Sequence, residues 1–208
     1  MRLLVRLARI YEEQLEDFDE TLEIYARLYR EDFRDEEVWE TLTRLAKVGG
    51  HWNRLAKILS EPLIETPVDD DLMATLARTI GSLYDEKTGN LVKAAEFYAK
   101  ALAFDPTDAA AFRMLESAYL RAGNHAALLA LYSQQAEIVN DDTDRVALLH
   151  KRARLLRGEL RQLTNAIATF REILEIAPAD HVAVASLEAL LAEARDWNGL
   201  AEHLRWRI

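Results

Sequence analysis

Few residues of this chain stand where they could do chemistry. The five histidines are His51, His125, His150, His181 and His203, and no two recur at a spacing of three or four. No H-E-x-x-H occurs, so a helix-borne metal pair is absent. There is no cysteine, hence no thiolate ligand, thiol nucleophile or disulfide. Seven scattered glycines build neither G-x-x-x-x-G-K-[ST] nor G-x-G-x-x-G. Ser60, Ser82, Ser117, Ser133 and Ser186 lack a nucleophile elbow. The acidic runs remain: "VDDD" at 68–71 and "NDDTD" at 140–144. Close aspartates suit calcium, but the EF-hand spacing, with its Gly and closing Glu, is missing. Both runs precede apolar helical stretches, where a carboxylate takes free amides at the positive end of the helix. Capping is therefore the expected role. The run "YEEQLEDFDE" at 11–20 reads as a solvated turn. No metal, no cofactor and no catalytic residue is expected.

The chain as a whole points to helices. Half of its 208 residues are apolar, 8% are aromatic, and only four are proline. Such a composition favours long helices over strands, which need frequent turn residues. The net charge is −10 and the pI about 5.1, which argues against nucleic acid as a partner. No stretch approaches 18 apolar residues, so no membrane span is expected. The opening "MRLLVRLARI" is interrupted by Arg6 and Arg9 and lacks a cleavage site, so it reads as a helix. A cysteine-free chain with no leader is expected in the cytoplasm.

Internal similarity organises these helices. "HWNRLAKIL" begins at His51 and "DWNGLAEHL" at Asp196, sharing Trp-Asn-x-Leu-Ala. Steps of 73 and then 72 residues superpose Asp35, Asp108 and Asp180. The same steps superpose Tyr25, Tyr98 and Phe170, and also Leu42, Leu115 and Leu187. They superpose Trp52, His125 and Trp197, with Leu55, Leu128 and Leu200 behind. Asp69 matches Asp142. A fixed period of this kind marks a repeat architecture. Breakers precede each Trp-like position: Gly49-Gly50, Gly123 and Arg195-Asp196. Trp52 and Trp197 read as packing residues at a helix start.

Each period divides into two helical hairpins. Helices are predicted at 2–14, 18–32, 36–48, 51–65, 70–86, 91–104, 108–121, 125–139, 143–158, 164–176, 181–194 and 197–207. Short polar links such as "DPTD" at 105–108 make neighbours antiparallel. The expected organisation is one array over 1–208, with hairpins at about 1–33, 34–67, 68–106, 107–140, 141–178 and 179–208. Neither end carries a polar capping helix. A segment of a longer array, or ends packed on another copy, is therefore expected, with Leu3, Leu4, Leu204 and Trp206 partly exposed.

These residues resemble the tetratricopeptide repeat (TPR), as a degenerate bacterial array. The pattern is W-x2-L-G-x2-Y, then A-x3-F, then Pro. The third hairpin matches best, with Ile80, Gly81, Tyr84, Ala94, Tyr98, Ala101 and Pro106, and with Ala77 in the Trp place. The fifth has Leu149, Ala153, Leu156, Ala166, Phe170 and Pro178. The first has Leu4, Leu7, Ala8, Tyr11, Thr21 and Tyr25 without the Pro. The step from the small residue to the second helix is 13 in these three hairpins, against the family's 12. The even hairpins keep 12 but carry Thr43, Glu116 and Glu188 in the small place. Half-a-TPR repeats are the neighbouring alternative. Gly81 is expected to be buried against Tyr98.

The resemblance implies an all-α, right-handed α-solenoid whose concave face binds a peptide or protein. The family's concave positions fall on Arg9, Arg44, Arg78, Arg113, His150 and Arg154. The sixth hairpin has Ala185 and Ala189 there, so the strip should fade. Arginine's planar fork suits carboxylate, so an acidic peptide or a C-terminal carboxylate is the implied ligand. The chaperone-tail clamp of the family uses paired Asn and Lys, which these places lack. The competing reading is that these arginines pair with Glu12, Glu40 and Asp85. The leading function is a non-enzymatic interaction scaffold. The alternatives are a module that associates end to end with itself, and the regulatory arm of an enzyme.

Overall fold

The computed structural model describes residues 2–65 and 69–207; Val68 of "VDDD" and the boundary expected at 67/68 lie outside them. The described residues are all-α, with no strand among them. The helices are α1 (Arg2–Glu13), α2 (Phe18–Glu31), α3 (Glu36–Gly49), α4 (Trp52–Ser60), α5 (Pro62–Glu65), α6 (Asp70–Ser82), α7 (Leu91–Phe104), α8 (Ala109–Ala122), α9 (His125–Ile138), α10 (Asp142–Gly158), α11 (Leu163–Ile176), α12 (His181–Glu193) and α13 (Trp197–Trp206). Two predicted helices are broken. The helix expected over 51–65 stops at Ser60 and resumes as α5 at Pro62, because proline has no N–H for the interior of a helix. The helix expected over 70–86 turns into a π-helical segment, Leu83–Thr88.

Aspartate and asparagine start the helices as expected. Asp35 Oδ1 accepts from the amides of Glu37 and Val38, Asp108 Oδ1 from Ala110 and Ala111, and Asp180 Oδ1 from Ala183. Asn124 and Asp196 cap α9 and α13. In the acidic runs, Asp69 caps α6 and Asp141 caps α10. The equivalent caps are thus 72 residues apart, and Asp142, matched to Asp69 in the sequence, is instead the first residue of α10.

Each hairpin turns through one left-handed residue. These are Glu16, Gly50, Gly89, Gly123, Arg161 and Arg195, with φ between 52° and 69°. In even hairpins the following amide reaches back five residues, from His51 to Ala46, Asn124 to Tyr119 and Asp196 to Leu191. In odd hairpins it reaches back six, from Asp17 to Tyr11, Asn90 to Tyr84 and Gln162 to Leu156. The first pattern is the usual Schellman closure. The wider loop inserts one residue, which is the physical origin of the 13-residue step.

Contacts group residues 1–118 and 119–208 into two compact units. In the first, Ala8, Leu22, Leu28, Leu42, Leu45 and Leu55 form a fully enclosed core. Gly81 is buried, and a Cβ built there would lie 2.5 Å from the Tyr98 ring, so α6 and α7 approach as closely as expected. In the second unit, the equivalent residues Ala153, Ala166 and Phe170 are all buried. Trp52 is half-buried as a packing residue, whereas Trp197 is exposed. Trp197, expected to pack, is 61% exposed among the described residues. Leu3, Leu204 and Trp206 are exposed and Leu4 half-buried.

Candidate functional site

The six family-implied positions lie on first helices of hairpins: Arg9 on α1, Arg44 on α3, Arg78 on α6, Arg113 on α8, His150 and Arg154 on α10. They fall into two groups. In the first unit, Arg44 Nη1 donates to Glu12 Oε1 at 2.6 Å, tying α3 to α1. That bond raises the guanidinium pKa, against the opposing effect of burial, with the Glu12 charge adding to it. Arg78 Nη1 donates to Asp108 Oδ2 at 2.7 Å, with both side chains largely sheltered. Asp108 thus works twice: one oxygen caps α8 and the other holds α6.

The second unit repeats that device with different chemistry. His150 Nε2 lies 2.8 Å from Asp180 Oδ2, and Asp180 Oδ1 caps α12. A carboxylate only accepts, so Nε2 carries the proton. His150 Nδ1 is buried without a partner. Burial pushes the Asp180 carboxyl up, but the bonds from His150 and from the Ala183 amide together hold it below the usual carboxylate range.

Arg9, Arg113 and Arg154 form the other group. All three are exposed, and none has an acidic partner among the described residues. Arg9 also borders a cleft of about 550 Å³ in the first unit, with Arg6, Val5, Tyr25 and Asp35. Of the acids expected to neutralise the strip, Glu12 does so for Arg44. The sequence did not reveal that Arg78 and His150 would take the cap of the next first helix. The signal was present, since Arg78–Asp108 and His150–Asp180 are both separated by 30 residues. Arg6 and Tyr25 also escaped notice as lining of the cleft.

Two stretches, 111–146 and 146–180, each match a tetratricopeptide repeat model. Residues 111–180 carry tetratricopeptide repeats. The matched stretches cover α8–α9 and α10–α11, whereas the sequence pattern placed the best TPR match in the third hairpin. No curated protein sequence matches the chain. Among solved structures, it is similar to YrrB, described as a TPR protein with an unusual peptide-binding site, at 18% identity over 87% of this chain and 89% of that one, with a TM-score of 0.44. It is similar to a thermophilic TPR protein of Thermus thermophilus at 18% identity, over 92% and 98%, with a TM-score of 0.39. The first TPR of Spaghetti (RPAP3), bound to an HSP90 peptide, aligns at 21% identity over 62% and 99%, with a TM-score of 0.40. No helix among the described residues is long and apolar enough to cross a membrane.

Proposed function

We propose that this protein-interaction scaffold receives an acidic peptide segment on the first helices of its TPR hairpins, in the cytoplasm. The observation that carries this reading is the division of the basic positions. Arg9, Arg113 and Arg154 keep open guanidinium groups in a protein of net charge −10, while Arg44, Arg78 and His150 are engaged by Glu12, Asp108 and Asp180. In a chain so rich in acid, a guanidinium left unpaired is a donor available to a carboxylate from outside.

The test is a fluorescence-anisotropy titration with a labelled glutamate-rich peptide, and its glutamine counterpart as control. The glutamate peptide should bind and the glutamine peptide should not. Joint substitution of Arg9→Glu, Arg113→Glu and Arg154→Glu should weaken binding by about 1 kcal/mol per position or more, since each contact is charge-assisted. Equal affinity in the folded triple variant would remove these residues from the site.

A further inference from the structure

The start of α3, the turn before it and one side of α6 line a cleft of about 620 Å³ within the first unit. Phe33, Trp39, Leu72 and Leu76 give it an apolar lining; Leu76 is buried and the other three are half-buried. The two aromatic rings are set by a third. Tyr29 is fully buried, and its hydroxyl donates to the Leu59 carbonyl at 3.4 Å. Its ring centre lies 6.4 Å from that of Phe33, edge to face, and 6.4 Å from that of Trp39, tilted by 47°. Phe33 and Trp39 are therefore held against a fixed core residue before any ligand arrives.

Three acids line the same cleft: Asp35, Glu36 and Asp69. Asp35 and Asp69 each use Oδ1 to cap a helix, α3 and α6. No ion pair among the described residues takes up their second oxygens or Glu36. Arg34 also lines the cleft, and its guanidinium carbon lies 5.6 Å from the centre of the Phe33 ring. Three carboxylates against one guanidinium leave the cleft net negative, and the Arg34 contact shows that Phe33 presents a face to a cation.

Starting a helix does not require this set. In the next two periods the helices equivalent to α3 start from Asp108 and Asp180. There Phe33 is replaced by Pro106 and Pro178, Trp39 by Phe112 and Val184, and Glu36 by Ala109 and His181. The helix start is made three times, and the combination of two aromatic rings with a free glutamate once.

We propose that this cleft takes the side chain of an arginine from a basic segment of a partner protein. A planar guanidinium stacks on an aromatic ring while its fork donates to carboxylates. Its aliphatic stem suits the leucine surface beside them. An ammonium group lacks the plane and the fork, and an acidic segment is repelled. The cleft is separate from Arg9, Arg113 and Arg154, and its reading stands whether or not those residues bind an acidic peptide.

The test is a nitrogen–proton correlation spectrum of the whole chain, titrated with a glycine–serine peptide carrying a single arginine. The control is the same peptide with citrulline, the neutral isostere. The chain has four tryptophans, and Trp39→Phe identifies one indole signal by its loss. The arginine peptide should move the Trp39 signal to saturation, and the citrulline peptide should leave it in place. Joint Asp35→Asn, Glu36→Gln and Asp69→Asn removes the charge, while asparagine caps a helix as well as aspartate does. This variant should bind about tenfold more weakly or worse. Glu36→Gln alone, at an exposed position outside the caps, should weaken binding by about threefold and replaces the triple variant if that one does not fold. A Trp39 signal that never saturates overturns the proposal, as does movement of the other indole signals alone. Equal binding of the citrulline peptide, or unchanged affinity in the folded acid-to-amide variant, overturns it too.

Discussion

The α6–α7 and α10–α11 hairpins occupy the same place in successive periods and meet the same demands with different residues. At the closest approach, α6 has Gly81 under the Tyr98 ring, while α10 has a buried Ala153 in the equivalent place. Three residues earlier, Arg78 holds the cap of α8 and His150 the cap of α12. One residue after the close approach, α6 has Ser82, whose hydroxyl donates to its own helix at the Arg78 carbonyl, and α10 has an open Arg154. At the turn, the left-handed residue is Gly89 in one and Arg161 in the other. Positions that join helices keep their task while their residue type changes. The position one residue past the close approach is not such a joint, and it differs most in charge: Ser82 in one hairpin and an open Arg154 in the other.

Substitutions should widen or erase these differences in a definite order. The largest effect is expected for Gly81→Leu, which must displace the Tyr98 ring and should cost roughly 1–3 kcal/mol in urea unfolding. Ala153→Gly, its opposite in the other hairpin, should cost about 1 kcal/mol through helix propensity alone. Asp108→Ala and Asp180→Ala each remove a cap and a cross-helix bond, and should each cost about 1–2 kcal/mol.

Acid should weaken the joint that Asp180 makes. Because the folded state holds the Asp180 carboxyl below its unfolded value, its contribution is complete above about pH 4 and is lost as pH falls through the lowered folded value. Asp180→Asn should flatten the fall in stability over that acid range, as read by melting temperature against pH. Unchanged acid sensitivity would show that the His150 joint does not contribute. Gly89→Ala should cost about 1 kcal/mol by forcing a side chain into the left-handed region, and the smallest effect is expected for Arg161→Gly, about 0.5 kcal/mol, strain relief offsetting lost chain stiffness.

Much of this was legible before any coordinates. The 73- and 72-residue steps, the aspartate caps and the glycines at 50 and 123 marked helix ends through short-range rules that depend on few neighbours. Gly81 against Tyr98 was legible because only close packing explains a glycine in that helix. Glu16 and Arg161 were not, since neither residue type advertises a left-handed conformation; the wider turn imposes it. The π-helical segment was hidden for the same reason. The division of the basic positions was also invisible, because whether Arg78 or Arg154 finds an acid depends on where the next helix begins in space. Trp197 misled because its Trp-Asn signature matches Trp52, while burial of that ring depends on a covering helix rather than on the signature.

The central claim is that paired basic residues hold helices together and open ones hold a partner. Its most direct test measures melting temperature and glutamate-peptide affinity on the same two variants, Arg78→Ala and Arg154→Ala. The account predicts a crossed result: Arg78→Ala lowers the melting temperature, and Arg154→Ala weakens peptide binding while leaving melting unchanged. A lowered melting temperature in Arg154→Ala with peptide affinity intact would contradict it.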